Sequence, residues 1–102
     1  MIRVLIKKNG GRITEIQASG HSGYADSGAD IVCAGVSALL QALKIGLEEL
    51  SGTEVGRMQN GFLACPVSEE PEAQFLARVI QLSLTEMAAA YSDYLQVERG
   101  RG

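Results

Sequence analysis

His21 and Cys33 lie close together in the stretch GHSGYADSGADIVCAG, which runs from Gly20 to Gly35. His21 is the chain's single histidine and Cys33 is one of two cysteines. A thiol and an imidazole brought into contact are the parts of a nucleophile and its general acid–base partner. The helical pattern that follows predicts Asp30 as N-cap, with Ile31, Val32 and Cys33 in the first turn. Unpaired backbone N–H groups and the positive end of the helix dipole belong to that turn, and they favour a thiolate over a thiol. Glycines on both sides of His21 leave its backbone free to bring the ring back toward the sulfur. On this reading Cys33 attacks a carbonyl carbon and His21 protonates the leaving amine. N–H groups of the first turn, that of Cys33 included, hold the developing oxyanion.

Other chemistry fits less well. An unreactive cysteine packed into a core, beside a hydrogen-bonded loop histidine, has the same composition. A lone histidine with two cysteines falls short of a closed four-ligand metal site, so no metal is expected. Cys65, in FLACPV, shares a strand face with Leu63 and Val67 and reads as a core residue. A redox pair between the two cysteines has no motif behind it. GYADSG has the glycine spacing of a phosphate loop, but Ala29-Asp30 stands where Lys and Ser/Thr are needed. GHSG is one residue short of a serine-hydrolase elbow, and no second histidine serves Ser22. Asp26 and Asp30 read as turn and cap residues. No cofactor is called for.

The elements that must hold these residues follow from periodicity. Ile2–Lys8 alternates and reads as a half-buried strand, NGG (Asn9–Gly11) as a tight turn, and Ile13–Ser19 as the returning strand. A loop from Gly20 to about Ala29 leads into a helix over Asp30–Leu50 that is apolar on nearly every side. Such a helix needs the sheet on one side and a second helix or subunit on the other. Thr53–Met58 reads as a strand, Gln59-Asn60-Gly61 as a turn and Phe62–Val67 as its partner. SEEPE (Ser68–Glu72) carries helix-start signals, with Ser68 or Glu70 as cap and Pro71 in the first turn. A second helix runs over Phe75–Leu95, with Tyr91, Tyr94 and Leu95 on its spacing, and VERGRG reads as a frayed tail. The predicted fold is a two-layer α+β domain of two antiparallel hairpins and two helices, in the order ββαββα.

The 102 residues suffice for one small core, and 46% hydrophobic with 21% charged is a globular composition. A net charge of −3 argues against nucleic-acid binding, so no direct contact with nucleic acid is expected. Arg3, Lys7, Lys8 and Arg12 cluster near the first turn and read as a solvated hairpin end, with a weak contact to an acidic partner such as ribosomal RNA as the alternative. No apolar stretch approaches the length needed to span a bilayer, and MIRVLIKKNGG lacks the features of a signal peptide. A cytoplasmic protein with free thiols and no membrane contact is the resulting expectation.

The segment GHSGYADSGADIVCAGVSALL resembles the signature of the ribosomal-processing cysteine protease family, Prp. That signature is Gly-His, a short variable loop, then Gly-x-Asp-Ile-Val-Cys-Ala. His21, Gly28, Asp30, Ile31, Val32, Cys33, Ala34 and Ser37 fall into place, and the similarity continues through NGG and NGF to YSDYLQV. Ser22, where many members have Ala, and Ser92-Asp93, where Pro is commoner, depart from the pattern. The resemblance implies one protease domain over residues 1–102, with His21 and Cys33 as catalytic dyad. It implies removal of a short N-terminal extension from the twenty-seventh protein of the large ribosomal subunit. It also implies a homodimer and a loop over Ser22–Ala29 that moves as substrate enters, with Gly23 and Gly28 suited to hinging. Asp26 and Asp30 are candidates for orienting His21, Asp30 being read first as the helix cap. The extension would bind extended along a sheet edge, its aromatic residues in an apolar pocket near Cys33. The contrasting reading is a non-catalytic, ribosome-associated binding module in which Cys33 only packs.

Overall fold

Alternating apolar residues build the sheet. In the computed structural model, which describes residues 1–20, 27–55 and 62–101, β1 (Ile2–Asn9) and β2 (Arg12–Ser19) form an antiparallel hairpin. Gly10 and Gly11 at its tip have φ of 63° and 128°, which side-chain-bearing residues rarely adopt. α1 (Ser27–Ser51) follows, then β3 (Phe62–Pro66), α2 (Pro71–Ala90) and β4 (Leu95–Arg101). The strands form one sheet in the order β3-β2-β1-β4. β3 is antiparallel to β2, and β4 is parallel to β1. Ile2, Val4, Ile6, Ile16, Ala18, Leu63, Cys65 and Leu95 are buried on the sheet face that the helices cover.

The order is therefore ββαβαβ and the sheet is mixed, where two antiparallel hairpins in the order ββαββα were expected. The expected strand before β3 is not formed over Thr53–Val55, and its remainder and the Gln59–Gly61 turn lie outside the described residues. Within the described sheet, β3 pairs with β2. The larger difference is at the C-terminus. α2 stops at Ala90 because Tyr91 leaves helical geometry (φ −130°, ψ 49°), and Ser92-Asp93 are turn formers. The N–H groups of Tyr94 and Leu95 donate to the Tyr91 carbonyl, and that of Ile2 donates to the Tyr94 carbonyl. These bonds steer the tail beside β1. Leu95, Val97 and Arg99 then alternate with Gln96 and Glu98, so the segment expected to fray is a strand.

α1 covers the sheet with Val32, Val36, Leu40, Leu43 and Leu47, one face at helical spacing. α2 lies alongside it. A Cβ on Gly35 would meet Met87 and one on Gly46 would meet Leu76, so the helices run antiparallel and approach closely at both glycines. Ile31–Ser51 has a mean hydropathy of 1.6 and is, by length and composition alone, long enough to cross a membrane. This corrects the expectation that no such stretch exists. The face given to the sheet core identifies α1 as the covering helix of this fold. Its opposite face, with Ile31, Ala34, Ala38, Ala42 and Ile45, is exposed.

The β1–β2 pairing shifts register after Lys7, with Thr14 as the extra residue. The Thr14 hydroxyl donates to the Lys7 carbonyl at 3.2 Å. Gln74 of α2 closes the gap. Its Oε1 accepts from the Ile13 N–H at 2.9 Å, and its Nε2 donates to the carbonyls of Ile13 at 2.7 Å and Ser68 at 2.8 Å. Gln74→Leu strands those groups under α2 and is expected to cost about 1–3 kcal/mol, measured as a lower urea midpoint at unchanged slope.

Candidate functional site

Cys33 owes its position to α1. The helix begins at Ser27, three residues earlier than the expected cap, because nothing in Ser27-Gly28-Ala29 forbids helix once Val32 and Val36 are anchored. Asp30 is thus inside the helix and is not its N-cap, and Gly28, expected as a loop hinge, is in the first turn. Cys33 stands in the second turn. Its own N–H belongs to the helical ladder, and the free N–H groups are those of residues 27–29. The Cys33 N–H, expected as an oxyanion donor, is therefore not free. The helix dipole, which falls off within the first turn, also acts on this sulfur more weakly than the sequence suggested. His21, Ser22, Gly23 and Asp26 lie outside the described residues.

Cys33 is half-buried and packs against the edge of the core. Cys65 is fully buried, and both thiols are free. Burial pushes the Cys65 thiol up to about 11; Lys44 opposes the shift, and Glu15 and Glu48 add to it. Lys44 lies three helical turns beyond Cys33 and so shares its face of α1, roughly 16 Å further along the axis. Cys33 therefore faces the β3 side of the sheet, at the end remote from Cys65. On that side the described sheet is bounded by β3, whose first residue, Phe62, is exposed. Sequence reading gave Phe62 only a strand role; its exposure at a strand start had no signal in composition.

A cleft on α2, lined by Gln74, Phe75, Arg78, Val79 and Leu82, is separate. Met87 is the α2 residue against Gly35, near Cys33, and the cleft lies before it along that helix, over Gln74 to Leu82. Among the described residues no His, Cys, Asp or Glu cluster could hold a metal ion.

The sequence matches the family described as cysteine protease Prp over residues 1–96. No curated protein matches it. The fold is similar to the crystal structure of an essential ribosomal processing protease Prp from S. aureus in complex with a covalently linked product peptide. That pair has a TM-score of 0.85 at 26% identity, covering 97% of this chain and 99% of the other. The S. aureus protease in complex with a substrate peptide is similar at a TM-score of 0.85 and 25% identity, with the same coverage. SMU.848 from Streptococcus mutans shares the fold, with a TM-score of 0.84 at 23% identity over 100% of this chain and 96% of that one.

The two thiols should behave differently. Iodoacetamide at pH 7 is expected to label Cys33 in the folded protein and to reach Cys65 only on unfolding, as peptide mass mapping would show. Unfolded, Cys65 ionises near its ordinary value of 9.0; folded, it keeps its proton to about 11. The stability this provides is full below pH 9 and is lost as pH rises toward 11, by ~2–3 kcal/mol. Cys65→Ala should flatten that part of the stability–pH curve.

Proposed function

From the premise that this chain belongs to the Prp family of cysteine proteases, we propose that it is a processing endopeptidase. Its substrate is the precursor of a large-subunit ribosomal protein, the twenty-seventh, from which it removes a short N-terminal extension. Cys33 is the nucleophile and His21 its acid–base partner. The observation that carries the reading is the family match, which runs through both residues. A half-buried Cys33 near the start of the covering helix, and the covalently linked product peptide of the S. aureus relative, support it.

The thiolate of Cys33 adds to the scissile carbonyl, and the oxyanion that forms is held by free N–H groups of the first turn of α1. The tetrahedral adduct collapses to a thioester and expels the amine, which takes its proton from the His21 imidazolium. Neutral His21 then removes a proton from water, which attacks the thioester. The carboxylic product leaves and Cys33 returns as thiolate beside a protonated ring. With Cys33 in the second turn, the imidazolium of His21 carries more of the thiolate's stabilisation than the helix does.

The protease works as a homodimer, in the cytoplasm where its thiols stay reduced. Support for the dimer is the exposed stripe of α1, where Ala34, Ala38 and Ala42 between Ile31 and Ile45 allow a second helix to approach.

Cys33→Ser is expected to lower cleavage of the ribosomal precursor by more than about a thousandfold, and His21→Ala by about a hundredfold or more, both without loss of folding. Mass spectrometry of the precursor reads both, and undiminished cleavage by Cys33→Ser refutes the assignment. Ala38→Glu, a change at an exposed position, should convert the dimer to monomer in sedimentation velocity at micromolar concentration.

A further inference from the structure

β4 carries Arg99 and Arg101 to the end of β1 where lysines already stand. In the parallel register Ile6 is beside Arg99 and Lys8 is beside Arg101. Lys7, Lys8, Arg12, Arg99 and Arg101 therefore gather at one end of the sheet, out of nine Lys and Arg in a chain of net charge −3. Lys7 is held by Glu15 at 3.2 Å and Arg12 by Glu69 at 2.8 Å. Glu98 projects from the opposite face of β4. Lys8, Arg99 and Arg101 share the other face and form no ion pair among the described residues. Lys8 and Arg101 are in-register neighbours on adjacent strands, a like-charge pairing that a sheet tolerates at a cost. Strand spacing puts the backbones of these residues about 5 Å apart across the strands and about 7 Å apart along β4.

We propose that this end of the sheet binds the phosphate backbone of RNA and so docks the protease beside its substrate. The inference rests on the ribosomal reading above. A ribosomal precursor is met among RNA, whose phosphates this cluster of cations attracts. Asn9, Gly10 and Gly11 are exposed around it, and phosphate contacts need only charge and forked donors.

The test is fluorescence anisotropy of a labelled single-stranded 20-nucleotide RNA titrated with the full chain from 50 to 200 mM salt. Three contacts to a single strand give a log–log slope of about −2, hence a roughly twentyfold loss of affinity over that range. The combined variant Lys8→Gln, Arg99→Gln, Arg101→Gln should lose binding at 50 mM while still cutting a free precursor peptide. If it does not fold, Arg101→Gln alone should reduce the slope by about 0.7, and Arg101→Lys should restore it. No RNA binding by the native chain, or equal binding by the variant, overturns the proposal. Equal affinity for polyglutamate or for vesicles of anionic phospholipid overturns it in favour of a peptide or a membrane. Absence of peptide cleavage by the native chain counts against the ribosomal reading and leaves the RNA measurement to be judged alone.

Discussion

Everything in this molecule is referred to the seat of α1 on the sheet. Val32, Val36, Leu40, Leu43 and Leu47 form one face of that helix, and each is almost wholly removed from water. At about 1.5–3 kcal/mol for each such side chain, they contribute on the order of the whole net stability of a small domain. Because a helix is stiff, fixing one face fixes the others. Cys33 is turned toward the β3 side, half out of the core. Gly35 and Gly46 are turned toward α2, which comes close enough for Met87 and Leu76 to occupy the space of a side chain. Ile31, Ala34, Ala38, Ala42 and Ile45 are left facing outward. A rotation of α1 that buried this stripe would expose the leucines and move the sulfur off its side of the sheet.

The two cysteines show how position alone separates packing from chemistry. Cys65 is on the inner face of β3, between Leu63 and Val67, and burial makes its ionisation unfavourable at neutral pH. Cys33 lies near the start of the covering helix and is only half withdrawn from solvent. The same atom type is an inert hydrophobe in one place and accessible in the other. Because Cys33 sits in the second turn, the proposed mechanism leans on His21 for charge compensation and on the preceding turn for oxyanion binding.

The strands β1 and β2, their NGG turn and the core role of Cys65 were legible in the sequence, since alternation and positive-φ glycines are local signals. So was the start of α2, where Glu70 stands at the N-cap position and Pro71 opens the helix. What escaped was non-local or ambiguous. Tyr91, Tyr94 and Leu95 fit a helical spacing, yet Leu95 is a strand residue whose partner, Ile2, stands at the other end of the chain. Glu98, Arg99 and Arg101 gave the tail a polar look that hid its period-two pattern. For the site, the motif located Cys33 on a helix but placed the helix start too late. Ser27-Gly28-Ala29 mixes a poor helix former, Gly28, with the best, Ala29, and packing further along decides such a boundary.

The missed strand changes the electrostatic picture more than the fold class. As a frayed tail, Arg99 and Arg101 would add diffuse charge to a net acidic chain, and repulsion from Lys8 would hold them apart. As a strand they are fixed next to Lys8 by backbone hydrogen bonds, which supply the free energy that like charges oppose. Leu95, buried at the head of β4, anchors that arrangement from the other end of the strand. Hydrophobic packing at the start of β4 thus sustains a concentration of positive charge at its finish. An overall charge of −3 says nothing about such a local field, because binding to a polyanion is set by the cations within a Debye length of the contact.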